Sequence, residues 1–212
     1  MAGLTGGGIP ASGHAPETGS RRPLPRRIGS GILVVLAMGA VAYGPYHRSD
    51  AYRHGNRLFY ADGGPNRAGR AVGRFWVALA DAGLGPSYLV ALETIGRRSG
   101  RSGAVPLVLA DWAGARYAVS MLGERSPWVH NVRAAEGRAV LRHGGRREVR
   151  LTEVPPAERA PILKAYLARA VGGRPHIPVD PGAPLAAFGR VAADYPVFRI
   201  ADERPSPGPQ TS

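Results

Sequence analysis

Apolar and polar positions change period several times along the 212-residue chain, and each change marks an element. Residues 1–27 hold few apolar positions among Gly, Pro and Ser, and Arg21, Arg22, Arg26 and Arg27 cluster at their end. This predicts a disordered basic tail. Residues 28–46 contain no charge. As a helix this stretch would reach roughly 28 Å, close to a hydrocarbon core of about 30 Å. Tyr43 and Tyr46 fall where an interfacial aromatic belt would lie. Three readings stay open: a transmembrane or membrane-anchoring helix, a signal peptide behind the four arginines, and a buried helix. Arg48, Arg53 and Arg57 follow it, so flanking charge does not settle its orientation.

Residues 47–86 read as a linker followed by an amphipathic helix. Val72, Phe75, Trp76, Leu79 and Ala80 recur at spacings of three and four, with Arg67, Arg70 and Arg74 off that face. Such a helix suits either a membrane interface or the surface of its own domain. From residue 87 the period becomes that of strands, expected at 88–95, 104–112, 116–122, 138–143, 147–154 and 196–200. Ser126 and Pro127 are residues suited to a helix N-cap and first helical position, and a helix to about residue 136 is expected. Pro155 and Pro156 precede a second helix, 157–170, with Ile162, Leu163, Tyr166 and Leu167 inward. A short helix follows near 185–192. About six mostly antiparallel strands joined by short turns, with helices outside them, predict a mainly β (α+β) barrel or roll. The tail 202–212 is polar and Pro-rich.

Composition narrows the chemistry. The chain has no cysteine, which excludes disulfides and thiolate chemistry, and its six histidines are scattered without metal-ligand spacing. Phosphate-binding motifs of the P-loop and dinucleotide type have little support. The formal net charge is +13, but no nucleic-acid-binding motif accompanies it, and aromatic residues do not interleave with the arginines. No nucleic-acid partner is expected. The cations that matter most lie in the loop 96–103, built only from Gly, Arg and Ser, between two apolar strands. Arg forks match phosphate oxygens, glycines admit close backbone approach, and such turns form anion nests. The alternative is a solvated basic turn.

Two segments in order, Gly-Arg-Arg-Ser-Gly before a Pro-Leu strand and then Trp-Val-His-Asn-Val-Arg, resemble the family of deazaflavin-dependent nitroreductases and F420H2-dependent quinone reductases of actinobacteria. The resemblance covers roughly residues 65–200. It implies a split β-barrel over 87–201 that binds coenzyme F420, a deazaflavin bearing a phosphate and a polyglutamate tail. FMN is the alternative cofactor. Carried over residue by residue, the phosphate side falls to Arg97, Arg98 and Ser99. The strand beside the cofactor gives Ala104, Val105, Pro106 and Leu107. The end of the third strand gives Ser120, Met121, Leu122 and Gly123, and the Trp-Asn segment gives Trp128, Asn131 and Arg133. The cofactor would do the hydride chemistry, so no catalytic side chain is assigned and no metal is called for. The implied acceptor is a quinone or another conjugated or nitroaromatic compound. Membrane lipid is the expected partner, and the barrel is expected at the cell membrane, facing the cytoplasm. A non-catalytic module for an anionic ligand is the other reading. The chain departs from the family pattern twice. Gly103 stands where relatives often carry an Arg, with Arg101 nearby. Phe188 is the nearest aromatic to the position of a Tyr in the last helix.

Overall fold

The computed structural model describes residue 3, residues 59–61 and residues 64–202. The expected tails, the apolar stretch 28–46 and the linker 47–58 lie outside the described residues. Two compact units divide the chain, Met1–Gly44 and Pro45–Ser212, and every element named below belongs to the second. Among the described residues no helix is long and apolar enough to cross a membrane.

Six strands close into an antiparallel barrel. They are β1 (Leu89–Ile95), β2 (Ser102–Trp112), β3 (Ala115–Val119), β4 (Arg138–Arg142), β5 (Arg146–Glu153) and β6 (Val197–Asp202). Their order around the wall is β1-β2-β3-β6-β5-β4, and β4 returns to β1 through Ala91–Arg142, Leu92–Leu141 and Glu93–Val140. Because every neighbour is antiparallel, connections alternate between the barrel's two ends. The 96–103 loop, the chain after β3, the entry to β4 and the β5–β6 connection share one end, here the loop end. The β2–β3 turn and the β4–β5 hairpin share the other.

The wall parts at the loop end. Residues 102–108 of β2 pair with β1, but β3 pairs with β2 only from Leu109 to Trp112. Beyond Val119 the chain turns with β6 instead, and the Ser120 N–H donates to the Pro196 carbonyl at 2.9 Å. One edge of β2 is therefore left without a ladder partner there. Pro106, which has no N–H to offer, sits on that edge strand where its lack is tolerated.

Alternation sorts the side chains into two cores. Inside the barrel, Val90, Leu92, Leu109, Ala118, Leu141, Val149, Leu151 and Phe198 meet Trp128, Val129 and Val132 of α2 (Pro127–Ala134), which plugs the loop end. Outside, Ala110, Tyr117, Val119 and Val197 pack under α3 (Arg159–Arg169) and α4 (Leu185–Val191). Ile162, Leu163, Tyr166 and Leu167 all face inward, as their spacing predicts.

The helix before the barrel, α1 (Arg67–Asp81), corrects the sequence reading. Asn66 caps it, its side-chain oxygen accepting the Gly69 N–H at 2.9 Å. It packs on β1 and β2. Of the expected face, Ala80 is buried and Leu79 half-buried, as are Gly69, Gly73 and Val77, while Val72, Phe75 and Trp76 stay exposed. A Cβ at Gly73 would lie in ordinary contact, 3.9 Å, with the Pro106 ring. The segment ahead of it forms a two-residue ladder, Tyr60–Ala61 with Gly64–Pro65, where short helices or loop were expected.

Ion pairs fasten the seam between β1 and β4. Glu93 accepts from Arg142 at 2.8 Å and from Arg146 twice at 2.9 Å, and Arg142 reaches on to Asp81 at the end of α1. The run Arg146, Arg147 and Arg150 is exposed but paired: Arg147 meets Asp202, and Arg150 donates to the Glu136 carbonyl. The Arg146 hydrogen bond, against the opposing cost of burial, leads the effects that hold the Glu93 carboxyl down at about 2, from an ordinary 4.5. A folded-state value below the unfolded one means stability that is present above pH 4.5 and lost as pH falls through about 2. Glu93→Gln is expected to cost about 2 kcal/mol at pH 7. Urea denaturation measures this, and the variant should lose this part of the acid destabilisation seen in the parent.

Candidate functional site

Topology brings every candidate segment to or beside the loop end. At its centre is the turn between β1 and β2. The Gly96 N–H donates to the Arg101 carbonyl at 2.9 Å, and the Gly96 carbonyl accepts from Ser99 at 3.2 Å and Gly100 at 2.8 Å. A Cβ at Gly96 would lie 2.6 Å from Ser99 Oγ and displace that hydroxyl from the turn, and Gly100 has a φ of +64°. Ser99 Oγ also accepts the Arg101 N–H at 3.3 Å. The serine is thus a brace of the turn. Arg97, Arg98 and Arg101 are exposed, and among the described residues no carboxylate neutralises them. A rigid turn that displays three uncompensated guanidiniums can bind a phosphate or several carboxylates.

Gly103 pairs with Thr94, so a side chain there would share the inward face of the wall with that buried threonine. Nothing lies within 4 Å of a Cβ built at Gly103. The mouth beside the turn is open at this point. Val105 and Leu107 follow on the same face and join the barrel core, whereas Ala104 and Pro106 face outward, Pro106 beneath α1.

Ser120, Met121, Leu122 and Gly123 form a turn after β3 and not its last residues, because β3 ends at Val119. Ser120 is buried, donates to the Gly123 carbonyl at 2.7 Å and lies 2.6 Å from Ser126 Oγ. Ser126 does occupy the N-cap position of α2, but its hydroxyl serves Ser120 and makes no cap bond to the helix. Gly123 has a φ of +64°, and a Cβ there would lie 2.7 Å from the Asp194 carbonyl. Met121 and Leu122 are half-buried at the rim.

The α2 residues separate into three roles. Trp128 is 6% exposed and packs against Phe198, ring centres 5.4 Å apart, so it is part of the plug. Asn131 accepts the Arg97 N–H at 3.2 Å and donates to Thr94 Oγ1 at 3.3 Å. Arg133 holds two carboxylates at once, Glu124 at 2.6 and 2.8 Å and Glu153 at 2.7 and 2.8 Å. Its hydrogen bonds to Glu124 and then Glu153 push its pKa up, and the Arg133 bond pushes that of Glu124 down. The guanidinium is already satisfied, unlike those of the loop.

Sequence reasoning missed three supports. Thr94 looked like any strand residue, yet it is a buried hydroxyl at the mouth. Glu153 bridges Arg133 to Arg159 at 3.0 Å. Arg159 is itself 4% exposed and donates to the carbonyls of Val154, Ala192 and Tyr195, tying α3 to the β6 entry. Burial pushes the Arg159 pKa down. Pro155-Pro156 ahead of it was the signal for a helix start, but nothing in the sequence marks a buried guanidinium there. Phe188 is fully buried in the outer core, away from the turn. The Tyr195 hydroxyl donates to the His176 carbonyl at 2.7 Å.

Comparison with solved structures finds partial likenesses. A conserved hypothetical protein, Rv2991, from Mycobacterium tuberculosis is 17% identical, with 68% of this chain and 85% of that one covered and a TM-score of 0.40. An F420-H2 dependent reductase, FDR-A, is 24% identical over 54% of this chain and 95% of that one, with a TM-score of 0.36. A putative 5-nitroimidazole antibiotic resistance protein from Bacteroides thetaiotaomicron is 8% identical over 55% and 74%, with a TM-score of 0.38. No curated protein matches the sequence. Residues 78–173, which include β1 to β5, the cationic turn and all of α2, match the family described as F420H(2)-dependent quinone reductase.

Proposed function

We propose that the protein is an oxidoreductase that uses reduced coenzyme F420 and delivers a hydride to a quinone or another conjugated or nitroaromatic acceptor at a membrane, with the barrel on the cytoplasmic side. The observation that carries this reading is the braced turn 96–103. Its three uncompensated arginines stand beside an open mouth, inside the segment that matches the reductase family. The residues fit the group. Arg97 and Arg98 supply the charge a phosphate and a carboxylate tail need, and Ser99 keeps the turn in shape. The unpaired edge of β2 along Ala104–Leu107 leaves backbone groups free for a planar ring with amide-like edges. Met121 and Leu122 offer apolar surface at the same end. Bound there, the reduced deazaflavin supplies the hydride. The protein binds and orients it, and α2 closes the barrel behind it against water.

Contact with a membrane is supported by α1. It leaves Val72, Phe75 and Trp76 exposed on a helix that also bears Arg67, Arg70 and Arg74. Aromatic and aliphatic side chains beside arginines suit an anionic lipid interface.

Fluorescence titration tests the cofactor. The purified protein is expected to bind F420, and Arg97→Ala with Arg98→Ala to weaken binding at least about tenfold. Absence of binding by the parent sinks the reading, and tighter binding of FMN moves it to that cofactor. Gly103→Arg enters open space at an ordinary backbone angle, and tighter F420 binding is expected from the added cation. Oxidation of reduced F420 by menadione is expected; binding without turnover across quinone and nitroaromatic acceptors would make the protein a binding module. Co-sedimentation with anionic vesicles is expected, and Phe75→Ser with Trp76→Ser should reduce it several-fold.

A further inference from the structure

Asn131 was a candidate for direct contact with the cofactor, but its side-chain amide is spent elsewhere. Its oxygen accepts the Arg97 N–H, and its nitrogen donates to Thr94. The internal bonds of the 96–103 turn fix the shape of the turn, yet they do not fix how it is set against the barrel. Among the described residues, the Asn131 bond is the hydrogen bond that ties residues 97–100 to another element. Asn131 is well placed for this. It lies on α2, whose Trp128, Val129 and Val132 are locked in the barrel core. Thr94, buried on β1, engages the amide nitrogen and so holds the oxygen toward Arg97.

We propose that Asn131 is a positioning residue for the phosphate-bearing end of the cofactor, acting through the Arg97 backbone with Thr94 as its orienter. The proposal rests on the F420 reading above. The chain Thr94–Asn131–Arg97 references the arginine turn to the rigid plug, so the guanidiniums of Arg97 and Arg98 meet the phosphate without first being ordered. Removing the link costs affinity for the charged end of the ligand and leaves the site of the ring intact.

Two ligands separate this from a contact with the ring and from general destabilisation: F420 itself, and the deazaflavin with its ribityl chain but no phosphate. Asn131→Ala is expected to weaken F420 about tenfold while binding of the phosphate-free ligand stays within about twofold. Thr94→Val, nearly isosteric, should give the same selective loss in smaller measure, and Thr94→Ser, which keeps the hydroxyl, should bind both ligands as the parent does. Thr94→Val also keeps the test open if Asn131→Ala fails to fold. Equal loss on both ligands would assign Asn131 to the ring or to stability and overturn the proposal. Unchanged F420 affinity in both Asn131→Ala and Thr94→Val would overturn it too. If the parent binds neither ligand, the F420 reading itself fails, and this proposal with it.

Discussion

Closure of the barrel across β1 and β4 is the constraint on which the rest depends. Only three residue pairs make that seam, and Glu93 lies on it. The ladder gives the seam its register. The carboxylate, half-covered and held by Arg142 and Arg146, gives it charge pairing on the outer face and links it through Arg142 to the end of α1. Without closure, β1 would be an edge strand and the end of the wall that bears the cationic turn would have no fixed partner. With it, β1 is central, paired with β2 on one side and β4 on the other, and the turn projects from its end.

The loop end then acquires two sets of arginines with opposite fates. Arg133 and Arg159 are surrounded by acceptors and hold α2, β5, α3 and the entry to β6 together through Glu153. Arg97, Arg98 and Arg101 are offered to solvent on a turn that is rigid for other reasons. Charge of one sign is consumed by structure in the first set and left unpaired among the described residues in the second. The distinction lies in the neighbours, since all five are the same residue type. A net charge of +13 therefore says less about ligands than does the placement of three guanidiniums.

Much of the fold was legible because its signals are local. Apolar alternation gave six strands, and Ile162, Leu163, Tyr166 and Leu167 gave the buried face of α3. The order of two short segments pointed to the family whose model matches residues 78–173. What the sequence hid are consequences of packing between distant residues. The inward side of α1 is only partly the predicted one: Ala80 is buried and Leu79 half-buried as their spacing indicates, but Gly73 and Val77 complete that side while Val72, Phe75 and Trp76 stay exposed. The hydroxyl of Ser126 reads as a helix cap until Ser120, from the turn after β3, claims it. Asn131 and Arg133 are carried over as ligand contacts from the family resemblance, but in the fold their side chains engage Thr94, Glu124 and Glu153, from elsewhere in the chain.

The central claim is that the loop end holds a phosphate-bearing deazaflavin. Backbone amide shifts recorded while F420 is titrated into the labelled protein test it most directly. The account predicts changes gathered at residues 96–103, along the free edge of β2 and at 120–123. A contrasting location exists in the cleft of about 350 Å³ on the outer face, lined in part by Trp112, Tyr117, Thr152, Glu158 and Arg199. Changes gathered there, with the cationic turn unmoved, would contradict the account.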